Sequence, residues 1–255
     1  MLAQFRLFTC LKDNYGVLVH DPASGACAAI DAPEAAPVEA ALAETGWRLS
    51  DILVTHHHND NTAGIPALKQ RHGCRVVAPR REASRIPAVD IAVGEGEVVN
   101  VGALAARVIE TPGHTNGHIA YWFESDALAF VGDTLFSIGC GRLIEGTPEV
   151  MWQSLEKLRN LPDDTRIFCG HEYTAANIRF ALTIEPNNAA LVARSEQVAK
   201  LRAEGKPTLP TTIGAEKAAN PFLRADIPAV AAAVHLAGQP AARVFAEVRA
   251  RKDRF

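Results

Sequence analysis

The chain reads as an α/β protein with a helical C-terminal domain, and three observations point there. Four short apolar runs each end on a histidine or an aspartate. Up to about Glu172, strand-like runs alternate with helical segments, the pattern of an α/β fold. From Tyr173 onward the strand-like runs stop, and alanine, leucine, arginine and glutamate dominate. The domain boundary therefore falls at this change of texture, with 1–172 as the donor-bearing domain and 173–255 as a smaller helical one.

In chain order, Asp51-Ile52-Leu53-Val54 is the first of the four runs and reads as a buried strand. It leads into Thr55-His56-His57-His58-Asn59-Asp60. Residues 62–72 have a helical pattern, with Gly73 as the stop signal. Ala106-Arg107-Val108-Ile109 is a second strand, followed by Thr111-Pro112-Gly113-His114. Leu128-Ala129-Phe130-Val131-Gly132 is a third and delivers Asp133. Thr147-Pro148-Glu149 opens a helix, with proline in the first turn, where its missing N–H costs nothing. Arg166-Ile167-Phe168-Cys169-Gly170 is the fourth strand and ends at His171. Beyond it, residues 175–184, 188–203 and the stretches after Pro228 and Pro240 read as helices, while Pro207 and Pro210 mark a loop.

The strand ends carry the chemistry. Alternate residues of an extended segment point the same way. His56 and His58 can thus converge on one metal while His57 faces elsewhere, and Asp60 continues the alternation. Imidazole and carboxylate together suit zinc, iron or manganese. His114, Asp133 and His171 each directly follow a glycine, which allows a sharp turn or a close backbone approach. Loops held at strand ends by a rigid sheet are where sites are usually built. His20, His72 and His235 lack such a setting and read as structural or solvated. His118, near the site sequence, is left open as a supporting residue.

Composition narrows the function. A formal net charge of −3 over 255 residues offers no basic excess for nucleic acid. No apolar run approaches the roughly twenty residues of a membrane span. The opening Met1-Leu2-Ala3-Gln4-Phe5-Arg6 lacks the layout of a signal peptide. Cys10, Cys27, Cys74, Cys140 and Cys169 are odd in number and widely spaced, so reduced thiols in a cytoplasmic protein are expected. None of the five sits in a recognisable Cys-His nucleophile motif.

With these residues in view, the sequence resembles the metallo-β-lactamase superfamily. Within it, Thr-His-His-His-x-Asp, Thr-Pro-Gly-His-Thr, Gly-Asp-Thr-Leu-Phe and Cys-Gly-His-Glu-Tyr are most similar to glyoxalase II, the hydroxyacylglutathione hydrolases. The likeness runs from Asp13-Asn14-Tyr15 to Lys252-Asp253-Arg254-Phe255 and includes Thr212-Ile213-Gly214 and Asn220-Pro221-Phe222-Leu223-Arg224. The resemblance implies an αββα sandwich of two mixed sheets between helices, with a helical domain closing the substrate cleft. It assigns one metal to His56, His58 and His114, and a second to Asp60, His171 and a shared Asp133. Two divalent ions are implied, zinc first, with iron or manganese as alternatives. Asp60 and Asp133 would then act in catalysis through a metal-bound hydroxide that attacks a glutathione thioester such as S-D-lactoylglutathione. A monomer acting on a small molecule is expected, with no nucleic acid or membrane partner.

The same resemblance assigns glutathione binding to Arg142 in Gly139-Cys140-Gly141-Arg142, to Tyr173, and to Arg249 and Lys252. Arginine suits the carboxylates at both ends of glutathione. Two positions depart from the family. Asn61 stands where a metal-binding histidine is usual, and an amide oxygen is a harder, weaker ligand. The second metal should therefore be held less firmly. Ile144 replaces a tyrosine that contacts glutathione in some relatives. The alternatives are a mononuclear-iron persulfide dioxygenase of the same superfamily and a glutathione-thioester binder of low activity. A β-lactamase would leave the glutathione-type features unexplained.

Overall fold

The computed structural model describes residues 2–255. They group into two compact units. One is the chain as far as Glu110 together with Gly117–Gly132; the other is Thr111–Asn116 together with Asp133–Phe255.

The first unit opens with β1 (Gln4–Cys10), β2 (Asn14–His20) and β3 (Ala26–Ile30), joined as antiparallel neighbours. Then come α1 (Ala35–Thr45), β4 (Arg48–Leu53), α2 (Asn59–Thr62), α3 (Ile65–His72), β5 (Arg75–Pro79) and β6 (Ile91–Val93). From β3 to β6 the pairing is parallel, so this six-stranded sheet is mixed. Parallel neighbours require a crossover, and α1 and α3 lie in two of them. Their apolar faces explain the core. Val38, Leu42, Ile65 and Leu68 pack with Leu18, Ile52, Val54 and Val76, each 5% exposed or less. Four further strands, β7 (Val98–Val101), β8 (Leu104–Glu110), β9 (Ile119–Phe123) and β10 (Leu128–Gly132), form an antiparallel ladder.

The second unit holds β11 (Leu135–Phe136) and β12 (Gly139–Cys140), a short antiparallel hairpin, then α4 (Pro148–Arg159) and β13 (Arg166–Cys169). Thr147 caps α4 by accepting from the Val150 N–H, as the Thr-Pro-Glu signal predicts. The remainder is α5 (Thr174–Ile184), α6 (Ala189–Ala203), β14 (Thr211–Thr212), α7 (Ile213–Ala219), α8 (Pro228–Ala233) and α9 (Ala241–Arg254). Its core is built from aromatic rings: Phe180 on Phe222, Phe222 on Phe245 and Phe245 on Trp152, with centroids 5.9–6.1 Å apart.

Two expectations need correction. Asn59–Thr62 is a helical turn, so Asp60 is placed by that turn and not by continued strand alternation. Strand structure also does not end at residue 173, since β14 pairs antiparallel with β13. It escapes a pattern search because it is only two residues long.

Candidate metal centre

In the first unit the ligand run leaves β4 and is held from behind by Asp31. Asp31 lies in the left-handed region at φ 55°, which aspartate tolerates better than most residues. That conformation turns its carboxylate onto the next strand end. Oδ1 accepts from the Thr55 N–H at 2.8 Å, and Oδ2 accepts from the Thr55 hydroxyl at 2.9 Å. With its proton committed to Asp31, the hydroxyl oxygen faces His56 Nδ1 at 3.0 Å as an acceptor. His56 therefore carries its hydrogen on Nδ1 and presents a lone pair at Nε2. Nδ1 of His58 lies 3.1 Å from that Nε2, a close approach of two imidazole nitrogens that a shared proton or a cation makes favourable.

His57 turns the other way, as alternation predicts, and is bound by Glu82 at 2.8 Å. Asn61 is 1% exposed, with Nδ2 3.4 Å from His56 Nε2 and 3.3 Å from Asp60 Oδ1. Its side chain thus sits among the donors of this run. Asp60 is further fixed by Asn14, whose Nδ2 donates to the Asp60 carbonyl at 3.0 Å. Of the other histidines, His20 stacks on Trp47 and His72 bonds Glu39, both as structural residues. His118 stacks on His56 with centroids 4.9 Å apart.

The second unit gathers His114, Asp133 and His171. Nδ1 of His114 donates to the Arg142 carbonyl at 2.9 Å, leaving its Nε2 lone pair 3.5 Å from Asp133 Oδ2. Nε2 of His171 lies 3.3 Å from the same oxygen. Gly141 is needed here, because a Cβ would run into the Asp133 carbonyl oxygen. Tyr173 stacks on His171 at 4.7 Å and 5°. Both groups of donors fit divalent cations: two imidazole nitrogens in close approach in the first, and a carboxylate oxygen between two imidazoles in the second.

The basic residues lie in this unit too. Arg142 is exposed. Lys252 Nζ donates to the Ala176 carbonyl at 3.2 Å and lies 5.3 Å above Phe180. Burial, then Arg249, Arg179 and Arg142, lower its pKa. Arg249 is 5% exposed, donates to the Cys140 carbonyl at 2.9 Å and pairs with Asp253. Ile144 is exposed. All five cysteines are buried and free, and burial pushes the Cys140 thiol up to about 11 and the Cys169 thiol up to about 12. Neither is poised as a thiolate nucleophile.

Residues 13–171 match the model of the metallo-beta-lactamase superfamily, and residues 172–255 match that of the hydroxyacylglutathione hydrolase C-terminus. The chain belongs to the hydroxyacylglutathione hydrolase family. It is 62% identical over 254 residues to a hydroxyacylglutathione hydrolase of Rhodopseudomonas palustris strain BisA53, with 100% of both chains covered. A second such hydrolase, from Nitrobacter hamburgensis, is 63% identical with the same coverage. Among solved structures, ETHE1 from Myxococcus xanthus superposes with a TM-score of 0.70 at 26% identity, covering 97% of this chain and 90% of that one. The hydrolase has the metallo-beta-lactamase fold expected from its sequence, with mixed sheet, helices and a helical C-terminal part. Full-length relatives at this identity favour a metal-dependent hydrolase over the dioxygenase and the weak binder.

Sequence reasoning missed Asp31, Glu82 and Arg179. A signal existed for Asp31, which follows an apolar strand as the four donors do. Glu82 sits in the 3-10 turn Arg80–Arg85 and has none. Arg179 is visible only once α5 is known to pass beside Lys252.

Proposed function

We propose that the chain hydrolyses S-(2-hydroxyacyl)glutathione, S-D-lactoylglutathione first, to a 2-hydroxy acid (D-lactate) and glutathione, as a step in methylglyoxal detoxification in the cytoplasm. What supports this reading is the match of residues 172–255 to the hydroxyacylglutathione hydrolase C-terminus, beside a donor group in each unit: His56 with His58 in the first, and His114, Asp133 and His171 in the second. His56, His58 and His114 would hold one divalent ion. Asp60, His171 and a shared Asp133 would hold a second, with Asn61 beside it as a weaker donor. Zinc suits the imidazole-rich set best, and iron or manganese fits it too. Bound ions would lower the pKa of water and polarise the thioester carbonyl.

The residues have separable tasks. Asp60 and Asp133 orient the attacking water. Its oxygen becomes part of the new carboxylate, and the C–S bond breaks. The departing thiolate, whose conjugate acid has a pKa of about 8.5, needs less protonation than an amine would. Arg142, Tyr173, Arg249 and Lys252 bind the glutathione half, on residues 173–255 and the loop before α4. Arginine forks and a lysine ammonium complement its carboxylates.

The test is the initial rate of S-D-lactoylglutathione hydrolysis by metal-replete chain, before and after chelation. Turnover that chelation abolishes and zinc restores is expected. A metal-replete chain that binds the thioester without cleaving it would overturn the proposal.

A further inference from the structure

Glu82 belongs to none of the roles above, yet it is only 2% exposed. Its Oε2 accepts from both the backbone N–H and the Nδ1 of His57, each at 2.8 Å. Its Oε1 accepts from the Gly117 N–H at 2.8 Å. Gly117 has to be glycine at this contact, because a Cβ would meet Glu82 Cγ at 2.6 Å. One carboxylate therefore joins two loops of the same unit.

The placement of those bonds matters more than their number. His57 stands between His56 and His58, so the backbone torsions at residue 57 set the relative aim of both rings. Binding the N–H and the ring of residue 57 to a single oxygen removes that freedom. The Gly117 bond fixes the neighbour of His118, whose ring stacks on His56 at 4.9 Å and 27°. Carboxylate–N–H bonds are among the stronger hydrogen bonds, more so when buried.

We propose that Glu82 is a positioning residue of the metal site, pre-setting His56 and His58 through His57 and backing His56 through the 117–118 turn. The proposal rests on the reading that His56 and His58 hold a metal. Groups that orient metal ligands typically alter affinity 10–100-fold when removed. Glu82→Gln keeps the size but replaces one acceptor oxygen with a donor amide. It should bind zinc at least tenfold more weakly.

The experiment is a competition titration of zinc against a chromophoric chelator, on apo chain and with no thioester present. Far-UV circular dichroism and thermal melting are run in parallel. Wild type, Glu82→Gln, His57→Ala and Glu185→Gln are compared. His57→Ala keeps the backbone bond but loses the ring bond, so an intermediate loss is expected. Glu185 pairs with Arg224 in the other unit, and its variant should melt earlier with unchanged zinc affinity. If Glu82→Gln folds and binds zinc as wild type does, however much its melting point falls, the proposal is overturned. If Glu82→Gln does not fold, an unaltered affinity in His57→Ala overturns it instead. Wild type that takes up no zinc would overturn the metal reading and Glu82's role with it, an outcome distinct from equal affinities.

Discussion

At the scale of single residues, Asn61 stands where the resemblance to glyoxalase II implies a metal-binding histidine. Its amide lies 3.3–3.4 Å from Asp60 and His56. An imidazole there would add a nitrogen donor where the chain now offers an amide, whose oxygen is neutral and weaker. Purified without chelator, the native chain should retain one firmly held ion and one that mild chelation removes. Asn61→His should bring the second ion to similar firmness and raise activity at limiting metal about tenfold or more. Metal counting by elemental analysis after graded chelation checks this, and two equally firm ions in the native chain would sink it. The candidate donors were legible in the sequence by position, because histidine and aspartate after strand ends are distinctive. The groups that aim them were not. Asp31 does its work through a left-handed backbone and a threonine hydroxyl, and Glu82 acts across 25 residues of chain. Neither relation has a spacing that a sequence displays.

At the scale of elements, the strands that end on donors were readable from their apolar runs, as was the capped start of α4. The turns that tie elements together were less so. Asp21, 1% exposed, is one of these ties. Its Oδ2 accepts from the Ala103 N–H at 2.8 Å, and the carboxylate also takes the Ser24 hydroxyl and the Ala23 N–H. It thereby fastens the β2–β3 turn to the β7–β8 turn. These donors, Ala103 first, hold its pKa down to about 2 from an ordinary 3.8. A carboxyl lowered in the folded state stabilises fully above its unfolded pKa. That contribution fades as pH falls through the folded value. The wild type should therefore lose melting temperature between about pH 4 and pH 2 through this group. Asp21→Asn should melt on the order of 5 °C lower at pH 7. It should also show a shallower decline on acidification. Thermal melts across that pH range decide it, and identical slopes for the two proteins would remove Asp21 from the account.

At the scale of the whole molecule, charge works against the proposed substrate except in one place. The formal net charge is −3, and glutathione thioesters are anionic, so the global field does not draw them in. Arg142, Arg179 and Arg249 nonetheless act together on Lys252, with Asp253 opposing them. Of these cations Arg142 and Arg179 are exposed, and they place positive charge locally on an otherwise acidic protein. Exposed charges interact over roughly 8 Å at physiological ionic strength, so this charge helps at short range and is screened by salt. Raising ionic strength from about 0.05 M to about 0.5 M should therefore raise KM for S-D-lactoylglutathione severalfold. The value of kcat should hold, because four of the proposed metal donors, His56, His114, Asp133 and His171, are buried and poorly screened. Arg179→Ala should raise KM at low salt and flatten its salt dependence, since Arg179 is exposed and its charge is felt at the half-buried Lys252. Steady-state kinetics over that salt range supply the measurement. A KM indifferent to salt would mean that this charge does not meet the substrate's carboxylates, and recognition would then have to come from neutral contacts such as Tyr173.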